Sequence, residues 1–245
     1  MSTPAPSSQR SERETHGLID VDVQPDGAAR IERLTAESAI RMDVLRGQGG
    51  QARATFDVAD SIDVSAFPAL LDAFCHAADL HIDVSFRATR LSSSHVVLED
   101  TGLALGMGLF EMLRVRMMES GVNGAGSSLR TKADFETAGV SASVSLEGRK
   151  FLKIVGATGA DDFRWRHVLG GFAFGAVRTE DIDDFVDALA GGLRASFFLH
   201  ERRPYEDAAT FWADMIEALG LAVSEAFEPN PARKGLPPGV KATLL

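Results

Sequence analysis

Ser94-His95-Val96-Val97-Leu98-Glu99-Asp100-Thr101-Gly102 sets a histidine and a glutamate four residues apart at the start of a helical pattern. Both side chains therefore project from one face. An imidazole and a carboxylate at that spacing reach a single metal ion. The helical pattern runs on to about Met118, with Leu98, Gly102, Leu105, Leu109 and Met112 on one stripe. Gly102, Gly106 and Gly108 each lower helix propensity by about 1 kcal/mol against alanine, which is tolerable where another backbone packs closely.

Upstream, residues 53–58 alternate with Ala54, Phe56 and Val58 on one side, a half-buried strand. A helix is predicted from near Ser65, carrying Phe67, Leu70, Leu71, Phe74 and Cys75, with Pro68 in its first turn. Ile82, Val84, Phe86 and Ala88 mark a second strand. Downstream the order repeats. Strands are predicted around Ala142, Val144 and Leu146, over residues 151–155 and in part of 163–176. Thr179 is placed to cap a helix bearing Ile182, Phe185, Val186, Leu189 and Leu193. A strand over 195–200 leads into a last helix with Phe211, Met215, Ala218 and Ala222 inward. Strand–helix–strand–helix twice over predicts a duplicated α+β fold, its paired sheets covered by helices on one side. The expected organisation is an extension over 1–25, disordered and rich in Ser, Pro, Arg and Glu. Half-domains over about 26–120 and 121–228 and a C-terminal tail follow.

With 245 residues, 45% hydrophobic and 24% charged, the chain has the make-up of a soluble globular protein. A net charge of −10 argues against nucleic-acid and anionic-membrane partners, which need a basic surface. It leaves room for a phosphorylated small molecule held by two or three placed cations. The single cysteine, Cys75, lies among apolar residues; it rules out an intrachain disulfide and fits a reducing, cytoplasmic setting. No uninterrupted apolar run is long enough for a membrane span, and the N-terminus lacks a signal-peptide core.

With its surroundings, the 94–102 segment resembles the His-His-x-x-Glu-Asp motif of imidazoleglycerol-phosphate dehydratases, histidine-pathway enzymes that use two manganese ions. The tail Leu236-Pro237-Pro238-Gly239-Val240-Lys241-Ala242-Thr243-Leu244 is similar to that family's Pro-Ser-Thr-Lys-Gly-x-Leu ending. The likeness runs from about residue 31 to 244. Arg33-Leu34-Thr35-Ala36-Glu37-Ser38-Ala39-Ile40 resembles the opening Arg-x-Thr-x-Glu-Thr-x-Ile, whose glutamate serves in proton transfer, a role implied for Glu37. Ser145-Leu146-Glu147-Gly148-Arg149 resembles Asp-Leu-Ser-Gly-Arg, implying a phosphate contact for Arg149, and Lys241 falls on the tail's phosphate-binding lysine. Leu199-His200 matches a Leu-His that supplies a metal ligand. The resemblance thus implies the α+β fold of that family (ribosomal protein S5 domain 2-like). It implies metal ligands at His95, Glu99 and His200, and trimer-based homo-oligomers that join into a shell through shared metal sites.

The departures bear on chemistry. The first motif's second histidine is Val96, and the second His-His-x-x-Glu is replaced by Pro204-Tyr205-Glu206-Asp207-Ala208. A lysine after Ala-x-Phe becomes Trp212, an arginine becomes Gly124, an Asp-Glu pair becomes Glu136-Thr137, and no histidine stands within 67–71. Two ions acting as Lewis acids stabilise charge developing on the imidazole ring in the family. A manganese site wants about six nitrogen and oxygen donors, so three protein donors plus water suit at most one ion. Two functions follow: a diverged hydro-lyase acting on a phosphorylated, imidazole-bearing small molecule, or a catalytically silent homologue acting as a binding or assembly partner. Plainer roles stand beside these. His95 and Glu99 make a helix-start pair favoured by the macrodipole, His200 a hydrogen-bonded strand residue, Glu37 an exposed strand residue, and Arg149 and Lys241 surface cations. Asp161-Asp162, Glu180-Asp181 and Asp183-Asp184 are expected to be solvated turn and helix-start charges. The loop Gly121-Val122-Asn123-Gly124-Ala125-Gly126-Ser127-Ser128 looks superficially like a phosphate-cradling kinase loop.

Overall fold

The computed structural model describes residues 18–24, 27–47, 49–88, 93–131 and 137–238. The extension before residue 18, Glu136 and Lys241 lie outside them. The chain opens with strands β1 (Leu18–Val23), β2 (Ala29–Leu34), β3 (Ser38–Arg46) and β4 (Gln51–Asp57). Helix α1 (Phe67–Ala78), strand β5 (Leu80–Ala88) and helix α2 (Ser94–Glu119) follow. Next come β6 (Ala125–Ser127), α3 (Ser128–Thr131), β7 (Val140–Ser145), β8 (Phe151–Val155) and α4 (Ala160–His167). The chain then forms β9 (Phe172–Ala173), β10 (Val177–Arg178), α5 (Thr179–Leu193), β11 (Ser196–Glu201) and α6 (Ala208–Ala226).

Two sheets organise these elements, in the orders β1-β2-β3-β5-β4 and β6-β7-β11-β8. In each, the last pair is parallel and the others are antiparallel. The parallel pairs arise because β4–α1–β5 and β8–α5–β11 are crossover units, which return the chain to the same sheet edge with the helix on one face. Ile40, Met42 and Val44 on β3 and Ile82, Val84 and Phe86 on β5 are buried at every second position, so one sheet face meets the helices. The helices then pair across the two sheets: α2 packs along α5, and α1 along α6.

Glycines make the α2–α5 contact close. A Cβ on Gly102 would lie 2.5 Å from the Phe185 carbonyl oxygen, and one on Gly106 2.5 Å from that of Leu189. The matching offsets of these pairs mean that the helices run in the same direction, so both begin at one end of the molecule. The glycines of α2 thus fill the close-packing role their sequence cost implied.

Several expectations change. Residues 18–23, counted with the extension, form edge strand β1, because Val21 packs against the core and the backbone pairs with β2. Within 163–176 the structure has the end of α4 and the two-residue β9 instead of a longer strand. Phe163 and His167, four apart, are both buried on one face of α4. Thr179 does not cap α5; its hydroxyl donates to the Val168 carbonyl at 2.7 Å, tying α5 to the chain after α4. Cys75 is buried in α1, and burial pushes its thiol pKa up, as suits a core residue.

Candidate functional site

Ser93 caps α2: its side-chain oxygen accepts from the Val96 N–H. That fixes His95 in the first turn, with Nε2 3.2 Å from the Glu99 carboxylate and Nδ1 2.8 Å from the Asp184 carboxylate on α5. The hairpin turn holding Glu37 rests on the next turn of α2. Ser38 donates to Asp100 at 2.5 Å, and Arg33 pairs with the other Asp100 oxygen at 2.7 Å. Glu37 is exposed in that turn, its own N–H donating to the Thr35 hydroxyl at 3.1 Å. Three residues singled out by sequence, Glu37, His95 and Glu99, therefore share one end of α2.

The same end holds a cleft of about 310 Å³, bordered by Ser93, His95, Arg164, Arg178, Asp181 and Asp184. Asp181 is not the solvated charge expected, whereas Asp184 keeps a 41% exposed side chain. Asp181 is only 2% exposed, and its Oδ2 has no hydrogen-bond partner among the described residues. One donor atom each from His95, Asp181 and Asp184 lie within 4.8 Å of one another. Asp183 lines the same cleft, and its pKa is pushed up to about 6, first by burial and then by the Asp184 and Asp187 charges, with Arg164 opposing. A signal for Asp181 existed in the sequence. It precedes Ile182 and lies one turn before Phe185, on the flank of the apolar stripe, where a carboxylate turns inward.

Other expected site residues lie apart from this cleft within one chain. On β11, Phe197, Leu199 and Glu201 are buried, whereas Phe198 and His200 take the opposite face of the sheet. Arg149 sits in the turn between β7 and β8 and pairs with Glu147 at 3.0 Å. Its neighbour Lys150 lies against Gly191 and pairs with Asp187. Those positions lie one to two turns along α5 from Asp184, about 5–10 Å.

The segment standing where the second metal motif would be is used internally. Asp207 caps α6, accepting from the Thr210 N–H at 2.8 Å and its hydroxyl at 2.9 Å; those bonds hold its carboxyl below the usual range. Tyr205 donates its hydroxyl to Asp214 at 2.5 Å, and its pKa is raised by burial and by that partner. Trp212 is fully buried and donates to the His167 carbonyl at 2.7 Å. Beside them lies a network that the sequence did not disclose. Glu201, fully buried, accepts from the Ala157 and Tyr205 N–H groups and from Arg166, and lies 2.9 Å from His167 Nε2. Burial would raise its pKa, yet those partners together hold it below the ordinary value. The ring of His167 stacks on Phe211 at 4.6 Å.

The glycine loop at 121–128 is not a phosphate cradle. The N–H groups of Asn123, Gly124 and Ser127 donate to Glu228 O, Ala226 O and the Glu225 carboxylate, at the end of α6. Gly124 has φ +77°, and a Cβ there would come within 2.3 Å of Pro238. No arginine fits that position.

The donor set therefore does not fit a pair of ions within one chain. His95 and Glu99 meet, His200 stands on the outer face of the second sheet, and residues 204–208 offer no histidine.

Taken together, the paired sheets, the crossed helix pairs and a polar cleft where two helices begin define a duplicated α+β protein with one intact polar end. Solved structures share this architecture. The imidazoleglycerol-phosphate dehydratase of Staphylococcus aureus subsp. aureus N315 matches with a TM-score of 0.57 and 14% identity, covering 87% of this chain and all of that one. The IGPD of Pyrococcus furiosus also matches at 0.57, with 20% identity over 81% of this chain and 94% of that chain. In sequence, the imidazoleglycerol-phosphate dehydratase of Paracoccus denitrificans is 30% identical over 225 residues, 88% of this chain and 98% of its own length. That of Streptococcus sanguinis is 29% identical over 211 residues, covering 85% and 95%. No family model matches the chain. The chain belongs to the imidazoleglycerol-phosphate dehydratase family.

Proposed function

We propose that this chain is a diverged carbon–oxygen lyase of the family, acting in the cytoplasm on a phosphorylated, imidazole-bearing small molecule. It uses at most one divalent ion, manganese first, where its relatives use two. The docking of the turn that carries Glu37 onto Asp100, one residue past the His95–Glu99 pair, supports this reading. Glu37, exposed on its turn, is the group to take or give the substrate proton. Arg149 and Lys241 hold the phosphate, and His95, Glu99 and His200 are the ligands carried over for the ion. Arg149 in the β7–β8 turn and His200 on the face of β11 opposite the core suit a site completed across a subunit boundary in a trimer-based homo-oligomer. The test pairs metal analysis after purification with added manganese with turnover on imidazoleglycerol phosphate. At most about one ion per chain and measurable turnover lost in Glu37→Gln are expected. Two ions per chain would restore the parent mechanism.

A second reading, a silent homologue serving as a binding or assembly partner, is favoured by the internal use of Tyr205, Asp207 and Trp212. Calorimetry with imidazoleglycerol phosphate, inorganic phosphate and sulfate separates the two. A charge-assisted hydrogen bond contributes roughly 1.5–3 kcal/mol. Losing the arginine and lysine positions now held by Gly124 and Trp212 weakens a phosphate by about two orders of magnitude or more. Weak anion binding that falls further in Arg149→Ala and Lys241→Ala supports the lyase. Absence of both anion binding and turnover supports the silent homologue.

A further inference from the structure

We propose that His95, Asp181 and Asp184 form a divalent-cation site within a single chain, a donor set that joins the motif histidine to two carboxylates of α5. The carrying observation is Asp181. A carboxylate oxygen buried at 2% residue exposure with no hydrogen-bond partner is costly unless a cation or proton meets it. The cleft offers the cation's place: the three donor atoms lie within 4.8 Å of one another. Two donors about 2.1 Å from one ion lie about 3 Å apart at a right angle and about 4.2 Å apart when opposed. His95 Nδ1 and Asp184 Oδ2, 2.8 Å apart, already have the separation of adjacent ligands.

The roles divide on the imidazole. Nδ1 faces Asp184 and takes the ion, while Nε2–H faces Glu99 at 3.2 Å. Glu99 then orients the ring and fixes its tautomer, as carboxylates behind metal-bound histidines commonly do. One nitrogen and two carboxylates favour a first-row transition ion over magnesium or calcium. The donors ride on two helices locked together at Gly102 and Gly106, so the site is held at a fixed width. Arg164 and Arg178 line the same cleft, but Arg178 pairs with Glu180, and the acidic groups there outnumber the two cations.

This site does not require the lyase reading, because its test needs no substrate. Manganese and zinc are titrated separately into the metal-stripped full chain. Binding is followed by the loss of the free-manganese spin-resonance signal, by calorimetry for zinc, and by the shift in thermal midpoint. One ion per chain is expected, with magnesium binding at least tenfold weaker. Asp181→Asn and Asp184→Asn should each weaken binding tenfold or more, and His76→Ala, at an exposed position of α1, should leave it unchanged. If Asp181→Asn does not fold, Asp184→Asn, on a half-buried residue, decides alone. Binding that survives Asp184→Asn, or that needs His200, overturns the proposal, as does a wild-type chain that takes up neither ion. Turnover without binding at this site would sink the site and keep the lyase.

Discussion

Glu201 has no exposed surface, yet its carboxylate stays ionised because two backbone N–H groups, Arg166 and His167 surround it. Its folded pKa lies below the ordinary value, which is about 4.3 in the unfolded chain. The stability it contributes is therefore fully present above that value and lost as pH falls through the folded pKa. Glu201→Gln should destabilise the protein by about 3 kcal/mol at neutral pH, the low end for a broken buried pair because Arg166 still reaches water. In urea unfolding, the gap between parent and variant should be widest above about pH 5 and shrink below about pH 4. A gap that does not vary with pH would mean that Glu201 is not charged in the folded state. Trp212 sets a second residue-scale expectation. Restoring the family's lysine there would bury an ammonium where an indole now donates to His167 O. Trp212→Lys should cost more than about 3 kcal/mol and restore no phosphate binding. A folded, phosphate-binding Trp212→Lys chain would show that this end has not been repacked.

Among the elements, the α2–α5 seam is the most demanding. Gly102→Ala gains up to about 1 kcal/mol of helix propensity but sets a methyl 2.5 Å from the Phe185 carbonyl oxygen. A net loss of about 2 kcal/mol or more is expected in thermal unfolding. Gly191→Ala, whose Cβ would meet only the Lys150 side chain at 3.5 Å, should be neutral or stabilising. Similar effects at both positions would mean that the seam is loose. The sequence carried α1 and the strands at 51–57 and 80–88 plainly, because each has a period of its own, whereas α2, buried nearly all round, was legible by its length and its N-terminal cap. In β2 and β3, Arg30, Glu32, Arg41 and Asp43 alternate with buried Ala29, Ile31, Ile40, Met42 and Val44, which marks strands but not which strands they pair with. Their sense comes from cross-strand partners such as Arg30 and Asp43, 2.8 Å apart, and register is not a local property. Residues 163–176 misled for the opposite reason, since four aromatics there favour a strand while Phe163 and His167 serve a helix face. The site was legible where one helix turn makes the pair, as with His95 and Glu99. It was hidden where two distant segments meet, as with His95 and Asp184, or Glu201 and His167.

On the scale of the molecule, the proposed assembly has a simple readout. If the family's shell is joined through shared metal sites and those sites are reduced here, light scattering should give a mass of about three chains, unchanged by manganese or by a chelator. A manganese-dependent rise to a much larger particle would contradict the reduced donor set. The crossed packing of the helices reaches further. Because α2 rests on α5 and α1 on α6, the helix sides turned away from the first sheet are covered by the second half of the chain. A nascent polypeptide that has finished α2 must wait for about a hundred more residues before α6 is complete. At about 5–20 residues per second that is roughly 5–20 s, long against hydrophobic collapse. During that interval the side of α1 that later meets Gly220, around Phe74 and Ala78, and the ring edge of Phe67 that later meets Phe185 stand uncovered, so the yield of this protein in a cell depends on what shields them until their partners are made.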